Sequence, residues 1–347
     1  MKRADIIDGF VKLGELFRLL SEDAEWPGFG SGLTEDEYAS LHVLINKENI
    51  HNPWFTKESV QFALSSLAAM LERQTLENFA AAYPEAKTPK RVAIIMAGNI
   101  PLVSFHDFLC VLLSGHIAVC KLSSDDPRLL PAFISVLQHW QPEFTTIIEC
   151  KPGPVKHMEA VIATGSDNSV TYFEQYFGQY PHIFRRNRTS VAVLTGNETP
   201  DELKGLGEDM FRFFGLGCRN VSRLFVPKGF ELNRLFEAII SYGAIVNHHK
   251  YANNYDYNRT VFMMNQIPFL DNNFCILKED DALFSPLSVF YYSFYERKQE
   301  VEEYLSAHSA SIQAVVGRDY LPFGTAQCPT INDFADGIDT MKWLSEL

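Results

Sequence analysis

The hydrophobic pattern of the chain changes period near Arg91. Before it, Ile6, Phe10, Leu13, Phe17 and Leu20 form one apolar stripe, and Val60, Leu64, Leu67 and Leu71 another. That spacing predicts helices with one buried face. Thr34, with Glu37 three positions on, supplies a capping box between the two stripes. From Arg91 the apolar stretches become short and β-branched. Val92–Met96, Ile117–Lys121, Thr145–Glu149 and Ser190–Leu194 read as strands, alternating with helices over Ser104–Ser114 and Pro127–His139. The series resumes with strands Arg223–Val226, Val261–Met264, Phe274–Leu277, Ser288–Tyr292 and Ile312–Val316, and helices Glu231–Tyr242 and Glu296–Ser306. Continuous apolar strands separated by helices imply parallel sheets covered on both faces. The expected fold class is α/β, with two α/β layers meeting near Cys218.

Composition narrows the function. With 347 residues, 46% hydrophobic and 21% charged, the chain is long enough for two domains and reads as an ordinary globular protein. A net charge of −13 disfavours nucleic acid and acidic membrane surfaces as partners. No apolar run approaches the roughly 20 residues needed to cross a bilayer. Asp5, Asp8 and Glu15 interrupt the first helix, so no leader peptide is expected and the cytoplasm is the expected location. The six cysteines show no Cys-x-x-Cys pair, which suits neither a zinc site nor a disulfide framework.

One cysteine stands apart. Cys218 lies in Gly215-Leu216-Gly217-Cys218-Arg219-Asn220, between a helical run and an apolar strand. Flanking glycines let the backbone turn sharply and leave room for a carbonyl to approach, and a thiolate there can hold an acyl group covalently. Asn99, in Gly98-Asn99-Ile100-Pro101, follows a strand; its amide can donate to a developing oxyanion or cap the next helix. Lys121, Ser123 and Ser124 end another strand and suit ribose and phosphate contacts, or plain solvation. Thr164, Gly165 and Ser166 open a helix, whose first N–H groups can receive an anion.

The order of these segments resembles the aldehyde dehydrogenase superfamily: Asn-x-Pro, a strand ending in Lys-x-Ser, Thr-Gly-Ser, then Gly-Cys with Arg223 five residues on. Leu283-Phe284-Ser285-Pro286 is similar to a later element of that superfamily. The closing Leu321–Pro329 and Asp333–Thr340 resemble the LuxC-type acyl-CoA reductases. The resemblance implies an aldehyde dehydrogenase-like fold: a helical region over 1–85, a nucleotide-binding α/β domain over 86–197, a catalytic domain over 198–318, and a C-terminal segment over 319–347 that returns to the active-site region. It implies Cys218 as nucleophile and Asn99 as oxyanion donor. Lys121, Ser123, Ser124, Thr164, Gly165, Ser166 and Phe284 would contact the cofactor, and no metal is expected.

Departures from the pattern shape the expected chemistry. Leu194 aligns with the glutamate that activates water in hydrolytic members, and leucine takes no proton. Ser124 replaces a ribose-binding glutamate, which points to NADPH, with NADH as the alternative. Val170 replaces a glycine after the Thr-Gly-Ser segment, and Asp281-Ala282 offers no glutamate before Leu283. The implied activity is reduction of an acyl-CoA to its aldehyde, in fatty acid metabolism, through an S-acyl thioester on Cys218. The alternatives are an oxidative aldehyde dehydrogenase and a non-catalytic scaffold that binds a nucleotide or acyl group. Expected partners are the acyl-CoA and a second copy of the chain or an acyl-activating or acyl-transferring enzyme. Arg185-Arg186-Asn187-Arg188 reads as a phosphate contact or a solvated loop, His248-His249 as a polar surface, and Phe211, Phe213 and Phe214 as tunnel lining or core.

Overall fold

The computed structural model describes residues 1–150, 153 and 155–347, and the chain forms two compact units. The first comprises Met1–Arg186 with Thr330–Leu347, and the second Asn187–Pro329.

In the first unit, helices α1 (Arg3–Ser21), α2 (Glu35–Lys47), α3 (Lys57–Met70) and α4 (Arg73–Ala81) precede the sheet. The sheet alternates β1 (Arg91–Ile95), α5 (Phe105–Leu113), β2 (Ile117–Lys121), α6 (Leu129–Trp140), β3 (Ile148–Cys150), β4 (Ala160–Thr164), α7 (Asp167–Phe177) and β5 (His182–Arg185). All pairings are parallel, in the order β3-β2-β1-β4-β5. Alternation along β1 explains the layering. Val92 and Ile94 face the core shared with α5, α6 and the N-terminal helices, while Ala93 and Ile95 face Phe173 and Phe177 of α7. The stripe on α1 packs into α5 and α6: Phe10 meets Phe105 and Phe108 edge-on, and Phe17 meets Phe133 at 4.7 Å between ring centroids.

The second unit carries β6 (Thr189–Val193), α8 (Pro200–Phe211), β7 (Val221–Pro227), α9 (Leu232–Ala238), α10 (His249–Met264), β8 (Leu270–Asp271), β9 (Ile276–Glu279), β10 (Val289–Tyr295), α11 (Lys298–Ala307) and β11 (Ile312–Val316). Its sheet runs β11-β6-β7-β10-β9-β8, parallel except where β8 meets β9. The strand at Thr189–Val193 thus belongs to the second sheet, next to β7.

The expected strand over Val261–Met264 is instead the end of α10. Tyr251, Tyr255, Asn258 and Phe262 are buried at helical spacing, so tertiary packing overrides the strand preference of Val261 and Phe262. The expected strand over Thr145–Glu149 begins later. Pro142–Thr146 is a tight turn in which the Thr145 and Thr146 hydroxyls donate to the carbonyls of Pro142 and Glu143, a local alternative to the ladder. The expected helix over Glu231–Tyr242 is cut at Ala238, after which Ile240–Asn247 winds more tightly.

The basic run after β5 divides. Arg185 is buried and pairs with Asp107 of α5, and its other terminal nitrogen donates to Thr340 Oγ1 at 2.8 Å, fastening the C-terminal helix Thr340–Ser345. Arg186 is exposed and bonds Glu174, while Arg188 donates to the Ile312 carbonyl. Removing one partner of a buried ion pair leaves the other charge uncompensated, at a cost of about 3–5 kcal/mol. Asp107→Ala is therefore expected to lower stability by that amount, read from the midpoint of denaturant unfolding. An unchanged midpoint would show that the pair contributes nothing to the fold.

Candidate active site

In the first unit, seven of the expected site residues collect at the carboxyl edge of the sheet, on the loops after β1, β2 and β4. This strand order reverses direction between β1 and β4, where ligands bind in doubly wound folds. Asn99 follows β1. A Cβ on Gly98 would lie 2.6 Å from Ser123 Oγ, so only glycine lets the β1 loop pass this close to the β2 loop. Leu102, three residues on, has φ +55, and its N–H is held by Asp126 Oδ2 at 2.9 Å. Burial pushes the Asp126 carboxyl up to about 6 despite this bond. Lys121 and Ser124 are exposed, while Ser123 Oγ accepts the Asp125 N–H at 3.2 Å.

Thr164 ends β4, and Ser166 caps α7 by accepting the Ser169 N–H. The side chain of Ser166 is thereby a cap, and the groups directed outward are the first N–H groups of the helix. A Cβ on Gly165 would meet Ser169 Cβ at 2.7 Å, which explains a glycine there. Val170, in the first turn of α7, is buried.

In the second unit, α8 runs into a turn with three successive positive φ values: Phe213 at 52, Phe214 at 59 and Gly215 at 81. The Phe214 ring lies 4.3 Å from that of His248, which caps α10 through Nδ1. Phe213 is buried, so it belongs to the core rather than to a tunnel lining. Cys218 follows, half-buried, within a turn closed by the Asn220 N–H donating to the Gly217 carbonyl at 3.0 Å. The Asn220 side chain reciprocates: Oδ1 accepts the Gly217 N–H at 2.8 Å, and Nδ2 donates to the carbonyls of Asp209 at 3.1 Å and Arg212 at 2.9 Å. Ser190 Oγ donates to the Cys218 carbonyl at 3.1 Å.

Burial raises the thiols of Cys110, Cys120, Cys150 and Cys275, which makes each a poor nucleophile. Cys328 is exposed.

Arg223 is a scaffold rather than a substrate contact. Its guanidinium is buried, donates to the carbonyls of Asp280 and Ala282 at 2.7 Å each, and lies over the Phe225 and Tyr304 rings. This fixes the approach to Phe284. Ser222 Oγ bonds the Leu283 carbonyl, and Ser285 Oγ bonds that of Ser222, so Phe284 is held beside the strand that follows Cys218.

Leu194 does not occupy the place that the alignment implies. Ser190 pairs with Val221, and the Leu194 N–H bonds the Phe225 carbonyl. Four residues of strand, at about 3.3 Å each, separate Leu194 from the end of β6 that touches Cys218. There, β6 offers the hydroxyls of Thr189 and Ser190. Glu198, which follows, spends its oxygens on the Thr195 and Gly196 N–H groups and the Thr195 hydroxyl. Neither β5 nor β6, the two strands preceding Cys218, contains Asp or Glu.

Sequence reading missed Asp126, Ser190, Asp209 and Asn220. Each is recognisable only by its partners in the fold.

No protein-family model matches the chain, and no curated protein matches it in sequence. Solved structures do. An NAD-dependent aldehyde dehydrogenase from Sinorhizobium meliloti superposes with TM-score 0.65 and 11% identity over 91% of this chain and 70% of that one. P. syringae AldA, an indole-3-acetaldehyde dehydrogenase solved with NAD+ and IAA, gives 0.63 and 13% over 91% and 72%. Aldehyde dehydrogenase 21 from Physcomitrella patens, solved with succinate, gives 0.64 and 11% over 92% and 74%. The chain therefore has the aldehyde dehydrogenase-like fold with two α/β lobes.

Asp209 gives the second unit a pH signature. Its carboxylate accepts the N–H groups of Gly324 at 2.6 Å and Ala326 at 2.9 Å, which favour the charged form, but burial outweighs them and pushes it up to about 6. The native state then binds this proton more tightly than the unfolded chain does, so stability falls as pH rises from about 4 to about 6. Asp209→Asn removes this component, and the stability difference between wild type and variant should change by about 2–3 kcal/mol across that window. Denaturation curves at several pH values check it; a constant difference would contradict it.

Proposed function

We propose that the protein reduces an acyl-CoA, a fatty acyl-CoA in particular, to the aldehyde with a nicotinamide nucleotide. The observation that carries this reading is Cys218 on a locked turn, with no carboxylate on either strand preceding it. An acyl group on this thiol has no base on those strands to direct water at it, so the thioester persists until a hydride arrives. The Cys218 thiolate attacks the thioester carbonyl, the Asn99 amide and the Cys218 N–H steady the oxyanion, and CoA leaves as its thiol after taking a proton. Each such donor is worth about 3–4 kcal/mol when removed. The nicotinamide nucleotide, held by Lys121, Ser123, Ser124 and the start of α7, would supply the hydride that converts the S-acyl group on Cys218 to a thiohemiacetal. Collapse returns the Cys218 thiolate and releases the aldehyde, so acyl-CoA, NADPH and one proton give aldehyde, CoA and NADP+.

The first unit's sheet edge fits a dinucleotide: close-approach glycines at Gly98 and Gly165, an exposed Lys121, and the N–H groups at the start of α7. The exposed carboxylate of Asp125 adjoins Ser124, so the loop carries one hydroxyl and one anion for the ribose end.

Incubation with acyl-CoAs of graded chain length and NADPH tests the reading, with aldehyde and NADP+ expected in equal amounts. Cys218→Ser should abolish turnover, since a hydroxyl is far less ionised than a thiol near neutral pH. Wild-type rates in that variant would remove Cys218 from the mechanism, and oxidation of free aldehydes without acyl-CoA reduction would favour the oxidative alternative. On the cofactor, the Lys121 charge opposes that of Asp125 at the ribose end, so NADPH should serve at least as well as NADH. Ser124→Glu should shift the kcat/KM ratio toward NADH and Asp125→Ser toward NADPH, each by about tenfold, since a charge contact at a partly buried site is worth roughly 1–4 kcal/mol. Unchanged ratios in both would mean that the β2 loop does not face the ribose.

A further inference from the structure

We propose that Asn220 is the positioning residue of the Cys218 nucleophile, binding the end of α8, the left-handed segment and the cysteine turn into one hydrogen-bonded unit. The inference rests on the reading of Cys218 as the nucleophile. Cys218 and Arg219 are the two central residues of the turn Gly217–Asn220, which is locked twice between its ends: the Asn220 N–H to the Gly217 carbonyl, and the Gly217 N–H to Asn220 Oδ1. The second bond also commits the Gly217 N–H, which is then no oxyanion donor.

The amide nitrogen of Asn220 faces backward along the chain. It donates to the carbonyls of Asp209, Met210 and Arg212, at 3.1, 3.5 and 2.9 Å, groups that the end of α8 leaves without helical donors. Asn220 is buried, so loss of its amide would leave these carbonyls short of a donor. Two non-glycine residues with positive φ follow that helix end, a conformation that L-residues resist. Without the amide, the carbonyls of Asp209 and Arg212 lose their link to the cysteine turn. Ser190 completes the clamp by holding the Cys218 carbonyl from β6. Asp209 extends it: its carbonyl receives Asn220, and its carboxylate receives Gly324 and Ala326, so one helix residue joins the cysteine turn to the closing segment of the unit.

Displacement of a reacting group by about 1 Å can cost on the order of a hundredfold in rate. The test compares wild type, Asn220→Ala, Asn220→Asp and Ser190→Ala by two readouts. One is the rate of Cys218 alkylation by iodoacetamide across pH, mapped by peptide mass spectrometry. The other is single-turnover acylation by octanoyl-CoA, with KM measured alongside. Asn220→Ala should slow acylation about twentyfold or more, with KM within about twofold, and should displace the pH profile of alkylation. Asn220→Asp keeps the acceptor for Gly217 but loses the donor to α8, and should fall between. A folded Asn220→Ala with wild-type acylation and alkylation overturns the proposal. If that variant does not fold, Ser190→Ala, which removes one hydroxyl, should slow acylation about fivefold, and a wild-type rate there overturns it instead. Wild-type protein that is alkylated at Cys218 but never acylated would sink the reductase reading, while the alkylation profiles would still decide the role of Asn220.

Discussion

Phe213, Phe214 and Gly215 take the chain through three successive left-handed conformations, and this constraint underlies the rest of the second unit's site. Each non-glycine residue in that region costs roughly 1–2 kcal/mol. The surroundings oppose relaxation at several points: Phe213 is buried, the Phe214 ring rests on His248, and the Asn220 amide binds the carbonyls just upstream. The result is a cysteine at the corner of a short turn between a helix and a strand. A helix that simply continued would carry Cys218 on its surface, with its backbone N–H committed to the helix.

The first unit solves a different problem with the same economy of means. Three parallel strands end at one edge, and their loops must pass close together if a single extended ligand is to touch all three. Gly98 permits the β1 loop to lie against Ser123, and Gly165 lets α7 start immediately after β4. Asp126 of the β2 loop then fixes the strained Leu102 of the β1 loop. Its buried carboxyl, like that of Asp209 in the second unit, is held by backbone N–H groups. In both units a buried aspartate anchors an irregular segment close to the residues proposed to do the chemistry.

Much of this was legible in the sequence. The change of hydrophobic period marked the start of the α/β region, and β2 and β11 fall where alternation placed them. Cys218, Asn99, Lys121 and the Thr164–Ser166 segment stood out because their chemistry sits at element ends. What failed had physical reasons. Val261–Met264 has strand-forming residues, but their burial follows the helical face set by Tyr251 and Tyr255. Ala160–Thr164 and His182–Arg185 are strands that the expected series lacks, one because alanine has little strand preference and the other because its ends are polar. Leu194 was misplaced because linear alignment cannot show strand register; the ladder between β6 and β7 puts Ser190 next to the cysteine turn. Asn220 needed the fold, since its partners span Asp209 to Gly217.

The central claim is that Cys218 carries an acyl group which water does not readily remove, because neither preceding strand supplies a carboxylate. The lifetime of that adduct tests it most directly. Protein loaded with labelled octanoyl-CoA should gain one acyl group, mapped to Cys218 by peptide mass spectrometry, that survives in buffer far longer than a catalytic turnover and disappears as aldehyde when NADPH is added. An adduct that decays to octanoic acid at the same rate with and without NADPH would show a base acting on water at this thiol, and would contradict the account.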